Sequence, residues 1–333
     1  MKYARLTAAA LASLSLAACN FDRSSRAIGD VTTIVVLAVD SLWAEVGDSV
    51  LRRLEPRIFT TRSERTFEVE HISPLDDRWT QLRDFTQVLA IGVPGDGWIE
   101  PVFQEPPTAL PAITLRENVW ARGQTVTALA VSPDDAIAGV LSQADSLGSL
   151  YDRRFRRYTL ERMFASGQAT ALRDSLRAGA GFGLSLPNIY REVERNDSVR
   201  VFRTDTQVGG TMFRSITIAS REGGAPMTAE QLLAWRDALA AQYYANPTQA
   251  TQRDTVLVDT VAHGALEVQG IWQSTDASFP EAGIFLSRAI PCPAQDRTFL
   301  LDAWLLAPGR SKYTYLIQFQ NILDSFECAG APQ

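Results

Sequence analysis

The sequence is short of the residues on which much protein chemistry depends. Its 333 residues include three cysteines, two histidines (His71 and His263) and two lysines (Lys2 and Lys312), so nearly all of its 32 basic residues are arginine. Three cysteines exclude a disulfide-dense scaffold. Two histidines limit metal and triad chemistry, and no HExxH, CxxC or Gly-x-Ser-x-Gly pattern occurs. Past the N-terminus, no run approaches the roughly 20 apolar residues that a membrane helix needs. Acidic residues number 38, giving a net charge of −6, which argues against a general nucleic-acid binder. What is present is an ordinary globular mixture, 46% hydrophobic and 21% charged, which excludes a disordered or collagen-like chain. The length suits one large domain or two of common size.

The most specific signal lies in the first twenty residues. Lys2 and Arg5 form a short cationic start, and Leu6 to Leu16 is an apolar stretch too short to span a bilayer. It runs into Leu16-Ala17-Ala18-Cys19, which resembles the bacterial lipobox. Small residues before the cut fit a peptidase groove, and the thiol of Cys19 is the atom that takes a diacylglycerol. The expected order is acylation of Cys19, cleavage between Ala18 and Cys19, and acylation of the new amine; several chains are needed for stable anchoring. Asn20 stands where an Asp would resemble an inner-membrane retention signal, so the outer membrane, facing the periplasm, is favoured over the inner. Losing Lys2 and Arg5 takes the net charge from −6 to −8. In an oxidising compartment, Cys292 and Cys328 are candidates for a disulfide stabilising the fold by about 3–4 kcal/mol, with two free thiols as the alternative.

The pattern predicts an α+β fold, two-layer mixed sheets packed by long helices, with two similar halves as one alternative. Its expected parts are a signal peptide at 1–18, a tether linker at 19–30, halves at 31–180 and 181–328, and a tail at 329–333. Val31 to Val39 reads as a buried strand, followed by a helix capped by Asp40. Ser132-Pro133-Asp134-Asp135 is a helix start, from which helical character is expected to about Arg177 with a break near Gly148. Thr228 opens a helix with a capping box to Gln231, and a final helix at 311–326 buries Leu316, Phe319, Leu323 and Phe326. Pro291-Cys292-Pro293 reads as a rigid loop.

Searching for chemistry returns little. Gly179-Ala180-Gly181-Phe182-Gly183 follows a helix and precedes a strand, the reverse of a phosphate cradle. His71 and His263 read as strand-end residues, and Asp134-Asp135 is explained by capping. No catalytic residue, metal ligand or cofactor is assigned. The densest basic cluster, Arg153, Arg154, Arg156, Arg157 and Arg162, is a weak candidate for anionic headgroups, against a solvated helix face paired with Asp152, Glu161 and Asp174.

Several stretches together resemble an uncharacterised family of bacterial envelope lipoproteins, domain of unknown function 4837. They are the lipobox, the strand start from Gly29, Arg62-Ser63-Glu64 with Phe67, and Asn118-Val119-Trp120-Ala121 with Gln124. Further along come Trp235-Arg236-Asp237, Leu266 to Trp272, Phe279-Pro280, and Ala307 to Lys312. The Cys-bearing stretch 291–293 departs from the family pattern. The resemblance covers nearly the whole chain after the signal and implies envelope localisation and no activity.

The reading that follows is a lipid-anchored envelope protein acting as a non-catalytic binding or assembly accessory. It would hold the membrane through its acyl chains, meet an envelope protein or anionic headgroup, and bind no nucleic acid. One alternative is an envelope hydrolase using carboxylates such as Asp40 with Glu64 or Asp96; another is a periplasmic small-ligand carrier.

Overall fold

The computed structural model describes residues 25–206, 212–244, 248–261, 264–276, 278 and 280–330. Ala18 and Cys19, the expected cleavage and lipidation sites, lie outside the described residues, as does His263. The chain forms two compact units, one comprising residues through Glu55 with Phe67–Leu147, the other Pro56–Thr66 with residues from Gly148 onward. The division therefore falls inside a long helix instead of near residue 180, and a short hairpin goes with the second unit. The fold is mixed α+β, as the pattern predicts.

The first unit is built on a five-stranded sheet of β1 (Thr33–Leu37), β2 (Glu68–Ile72), β3 (Gln87–Gly92), β4 (Ala112–Glu117) and β5 (Thr125–Ala130), in the order β2-β1-β3-β5-β4. The first three pairings are parallel and the last antiparallel. Central parallel strands have both faces covered, which is why β1, β3 and β5 read as continuous apolar runs. Helix α1 (Asp40–Leu54) joins β1 to β2 and buries Val46, Val50 and Leu54. Asp40 is not its cap: Val39 holds that position, and Asp40 is the first helical residue, where its charge meets the positive end of the dipole.

Ser132 caps the next helix start, accepting from the Asp134 amide, with Pro133 in the first position. A 3-10 turn then leads into α2 (Ala136–Met163), which runs through Gly148 without a break. The interruption comes at residues 164–169, where Gly167 takes a φ of 89°, before α3 (Thr170–Gly179).

The second unit carries a seven-stranded antiparallel sheet. Its strands are β6 (Arg191–Arg195), β7 (Val199–Thr206), β8 (Met212–Glu222), β9 (Ala250–Thr260), β10 (Leu266–Gln273), β11 (Ala282–Cys292) and β12 (Arg297–Leu306), in the order β6-β7-β8-β12-β11-β10-β9. Helix α4 (Ala229–Tyr243) follows β8, opened by the expected capping box between Thr228 and Gln231. Helix α5 (Tyr313–Asp324) follows β12. On β12, Phe299, Leu301, Ala303 and Leu305 enter one core with Leu316, Phe319 and Leu323 of α5, while Leu300, Trp304 and Leu306 enter another with Leu232 and Leu239 of α4. This unit thus has three layers where two were expected, since period-2 alternation buries both faces. Nor are the units alike: one sheet is largely parallel, the other wholly antiparallel. Pro291 and Cys292 end β11 and do not form a loop; β10 has already stopped opposite Ala289, so the proline meets no neighbour on that side.

Candidate functional site

In the first unit the topology brings the C-terminal ends of β1 and β2 side by side, and a cavity of about 360 Å³ opens there. Ligands of open parallel sheets characteristically bind beyond the carboxyl ends of the strands. Its lining includes Asp40, His71, Ser73, Leu75, Asp76 and Arg78. The local sequence explains the arrangement. Trp43 stands one turn before Gly47, where a Cβ would approach the indole to 2.9 Å, so the glycine lets the ring lie along α1. The indole in turn stacks on the His71 imidazole, with centroids 4.7 Å apart and planes 5° from parallel. Nε2 of His71 lies 2.9 Å from the carbonyl oxygen of Ala38. A carbonyl only accepts, so Nε2 is the donor in this contact.

Across the cavity Asp76 and Arg78 form a two-residue clamp. The amide of Arg78 donates to Oδ1 of Asp76 at 2.8 Å, and Nη2 donates to Oδ2 at 2.9 Å. These hydrogen bonds hold the Asp76 carboxyl below the ordinary carboxylate range. Leu75 projects from the turn at 90% exposure. The cavity therefore offers an aromatic-backed imidazole, carboxylates, a guanidinium and an exposed aliphatic group, a mixture suited to a small polar ligand. A second crevice of about 260 Å³, lined by Pro94, Ile99, Phe103 and Pro106 among others, follows β3 of the same sheet.

The acids named as hydrolase candidates have separate roles. Asp40 lines the cavity. Oδ2 of Asp96 accepts from the Val93 amide at 2.8 Å and closes the turn after β3. Glu64, only 6% exposed, belongs to the second unit, where it accepts from the Lys312 amide at 2.7 Å and pairs with the Lys312 ammonium at 3.3 Å. Among the described residues no group of three or more His, Cys, Asp and Glu side chains is placed to hold a metal ion.

Of the arginine cluster on α2, Arg153 and Arg157 are exposed, whereas Arg154 and Arg156 are half-buried. Arg156 pairs with Asp152 at 2.8 Å and donates to Gln320 on α5 at 2.8 Å. Arg162 lies over the Tyr158 ring. The cluster is therefore divided, and only part of it faces solvent.

The second unit holds buried polar groups to which the sequence reading assigned no chemistry. Arg236 of α4 and Asp302 of β12 are wholly buried, 3.2 Å apart. Arg236 also donates to Gln249 and Thr251, and Asp302 accepts from Tyr244 and Ser287. Burial raises the Tyr244 phenol well above its usual value, with the Asp302 charge adding to the shift. On the other face of the sheet, Arg288 pairs with Glu267 at 2.5 Å and Asp324 at 2.6 Å. Cys292 and Cys328 form a disulfide, their Cα atoms 5.8 Å apart.

Residues 169–325 match the family described as Domain of unknown function (DUF4837). Residues 27–164 match a different family, Domain of unknown function (DUF8532), so the likeness to DUF4837 covers the C-terminal region alone. The DUF4837 region contains Arg236, Asp302, Glu267 and Arg288, so two of its motif stretches, around Trp235 and from Leu266 to Trp272, supply buried ion-pair partners. No curated protein matches the chain. Among solved structures it is similar to a point mutant of the protein Mog1, with 13% identity over 46% of this chain and 93% of that one and a TM-score of 0.32. It is also similar to the Ran-binding protein Mog1p of Saccharomyces cerevisiae, with 13% identity, coverage of 45% and 92%, and a TM-score of 0.33. A third is LpqN of Mycobacterium tuberculosis, described as involved in cell envelope biogenesis, with 11% identity, coverage of 44% and 83%, and a TM-score of 0.29. No described helix is long and apolar enough to cross a membrane.

Proposed function

We propose that this chain is a lipid-anchored protein of the bacterial cell envelope that binds another envelope component without transforming it. The lipobox at Leu16-Ala17-Ala18-Cys19 supports the anchor, and Asn20 favours the outer membrane, facing the periplasm. The observation that carries binding over catalysis is the state of the acids. Glu64 is committed to Lys312 and Asp96 to a turn amide, which leaves the cavity beyond β1 and β2 as the ligand site. Arg153 and Arg157, one turn apart and exposed, are where an anionic headgroup would meet the second unit.

Growth with a fatty-acid analogue tests the anchor: label is expected on the wild type and none on Cys19→Ala, and label on the variant removes the anchor. A photoreactive side chain in place of Leu75 tests the binding site. One discrete adduct in intact envelopes is expected, and its absence overturns the assignment. A hydrolase is the second reading, favoured by Asp40 and His71 lining one cavity. Turnover of the captured ligand, abolished by His71→Ala, would decide for it.

A further inference from the structure

Four cationic side chains among the described residues are more than nine-tenths buried: Arg214, Arg236, Arg288 and Lys312. Three have carboxylate partners, namely Asp302 for Arg236, Glu267 and Asp324 for Arg288, and Glu64 for Lys312. Arg214, on β8, has none among the described residues. Its Nη1 donates to the amide oxygen of Gln318 on α5 at 3.0 Å. Its guanidinium carbon lies 5.9 Å from the ring centre of Tyr190 and 5.8 Å from that of Tyr315. Aromatic faces and one amide stabilise a cation, yet a buried charge with only neutral partners keeps much of its desolvation cost.

Two polar atoms at this place are left over. Nε of Arg214 and the hydroxyl of Tyr190 are both buried without a hydrogen-bond partner among the described residues. Buried polar atoms are nearly always satisfied, and these two belong to side chains in direct contact around a cation that has no carboxylate partner among the described residues. The Tyr190 phenol, pushed up to about 12 by burial, stays protonated and able to donate at neutral pH. With Nη1 taken by Gln318, the guanidinium edge formed by Nε and Nη2 is the one left open. That edge presents two parallel N–H groups, the arrangement that matches the two oxygens of a planar carboxylate.

We propose that Arg214 and Tyr190 form a binding site for a carboxylate-bearing small molecule, in which the Nε–Nη2 edge takes the two oxygens and the tyrosine hydroxyl donates to one of them. The site lies in the DUF4837 region and is independent of the strand-end cavity and of the lipid anchor. Its occupant supplies the negative charge that the other three buried cations obtain from the chain itself.

The test uses the mature chain with acetate as probe, and phosphate and chloride at matched ionic strength as comparisons. Acetate is expected to raise the thermal midpoint of the wild type and to broaden the signal of carbon-labelled acetate, while chloride does neither. Tyr190→Phe keeps the ring and removes one donor, so acetate affinity should fall by about 5-fold; Arg214→Gln should abolish the response. If Arg214→Gln does not fold, Tyr190→Phe alone carries the test. An acetate response equal to that of chloride, or unchanged in Tyr190→Phe, overturns the proposal. A response to phosphate and not to acetate overturns the carboxylate assignment.

Discussion

At the residue scale, the fully buried pair of Arg236 and Asp302 is where a single change does most. Arg236 spans three acceptors, on Asp302, Gln249 and Thr251, with its guanidinium carbon 3.9 Å from the Phe285 ring centre. Arg236→Met leaves the Asp302 carboxylate with only hydroxyl donors from Tyr244 and Ser287, and is expected to cost about 3–5 kcal/mol in urea denaturation. Adding Asp302→Leu should recover part of that loss, because the uncompensated charge leaves with it. A double variant no more stable than the single one would show that the charge is not what the mutation exposes. None of this is legible in the sequence, where a lone arginine among Leu232, Trp235 and Leu239 looks like the wet side of a helix. His71 illustrates the same limit. Its strand-end position is readable, but its stacking on Trp43 depends on a parallel pairing in which His71 lies opposite Val36, far along the chain.

At the scale of elements, the disulfide ties the end of β11 to the two-residue strand Glu327–Cys328, which pairs with Phe182–Gly183. Glu327 also takes Arg173 and Arg177 of α3, so one short strand gathers a helix, a strand end and the last described residues. The bonded cysteines are 36 positions apart, and Cys328→Ser or reduction is expected to lower stability by about 3–4 kcal/mol. Equal denaturation midpoints with and without reductant would refute this. Elements buried on two faces announced themselves as apolar runs, and Thr228 with Gln231 announced its helix by capping chemistry. The strand β9 did not. It is an edge strand with a bulge between Gln252 and Leu257, and its polar residues face solvent without a regular alternation.

At the scale of the whole molecule, alkaline pH separates folded from unfolded chains. Burial raises the phenols of Tyr190, Tyr244 and Tyr313, Tyr190 to about 12. An unfolded phenol loses its proton near the ordinary value of 10, while these folded ones keep theirs. Above that pH the unfolded state therefore binds fewer protons, and stability intact below it falls as pH rises toward the folded values. Phenolate absorbance should rise in two stages, the second together with loss of secondary structure; a single stage in the folded protein would contradict this. The long helix α2 runs unbroken across the division between units, so Gly148 and Ser149, which read as a break, lie inside helical turns, and the boundary is marked by no loop. The Glu64–Lys312 pair has a last, practical consequence. Under the proposed processing Lys312 would be the sole lysine, 5% exposed and held by Glu64 and the Arg310 carbonyl, and acylation would block the terminal amine. The native protein is then nearly invisible to amine-directed labels and crosslinkers, and modification of that one ε-amine becomes a clock for the opening of the hairpin that covers it.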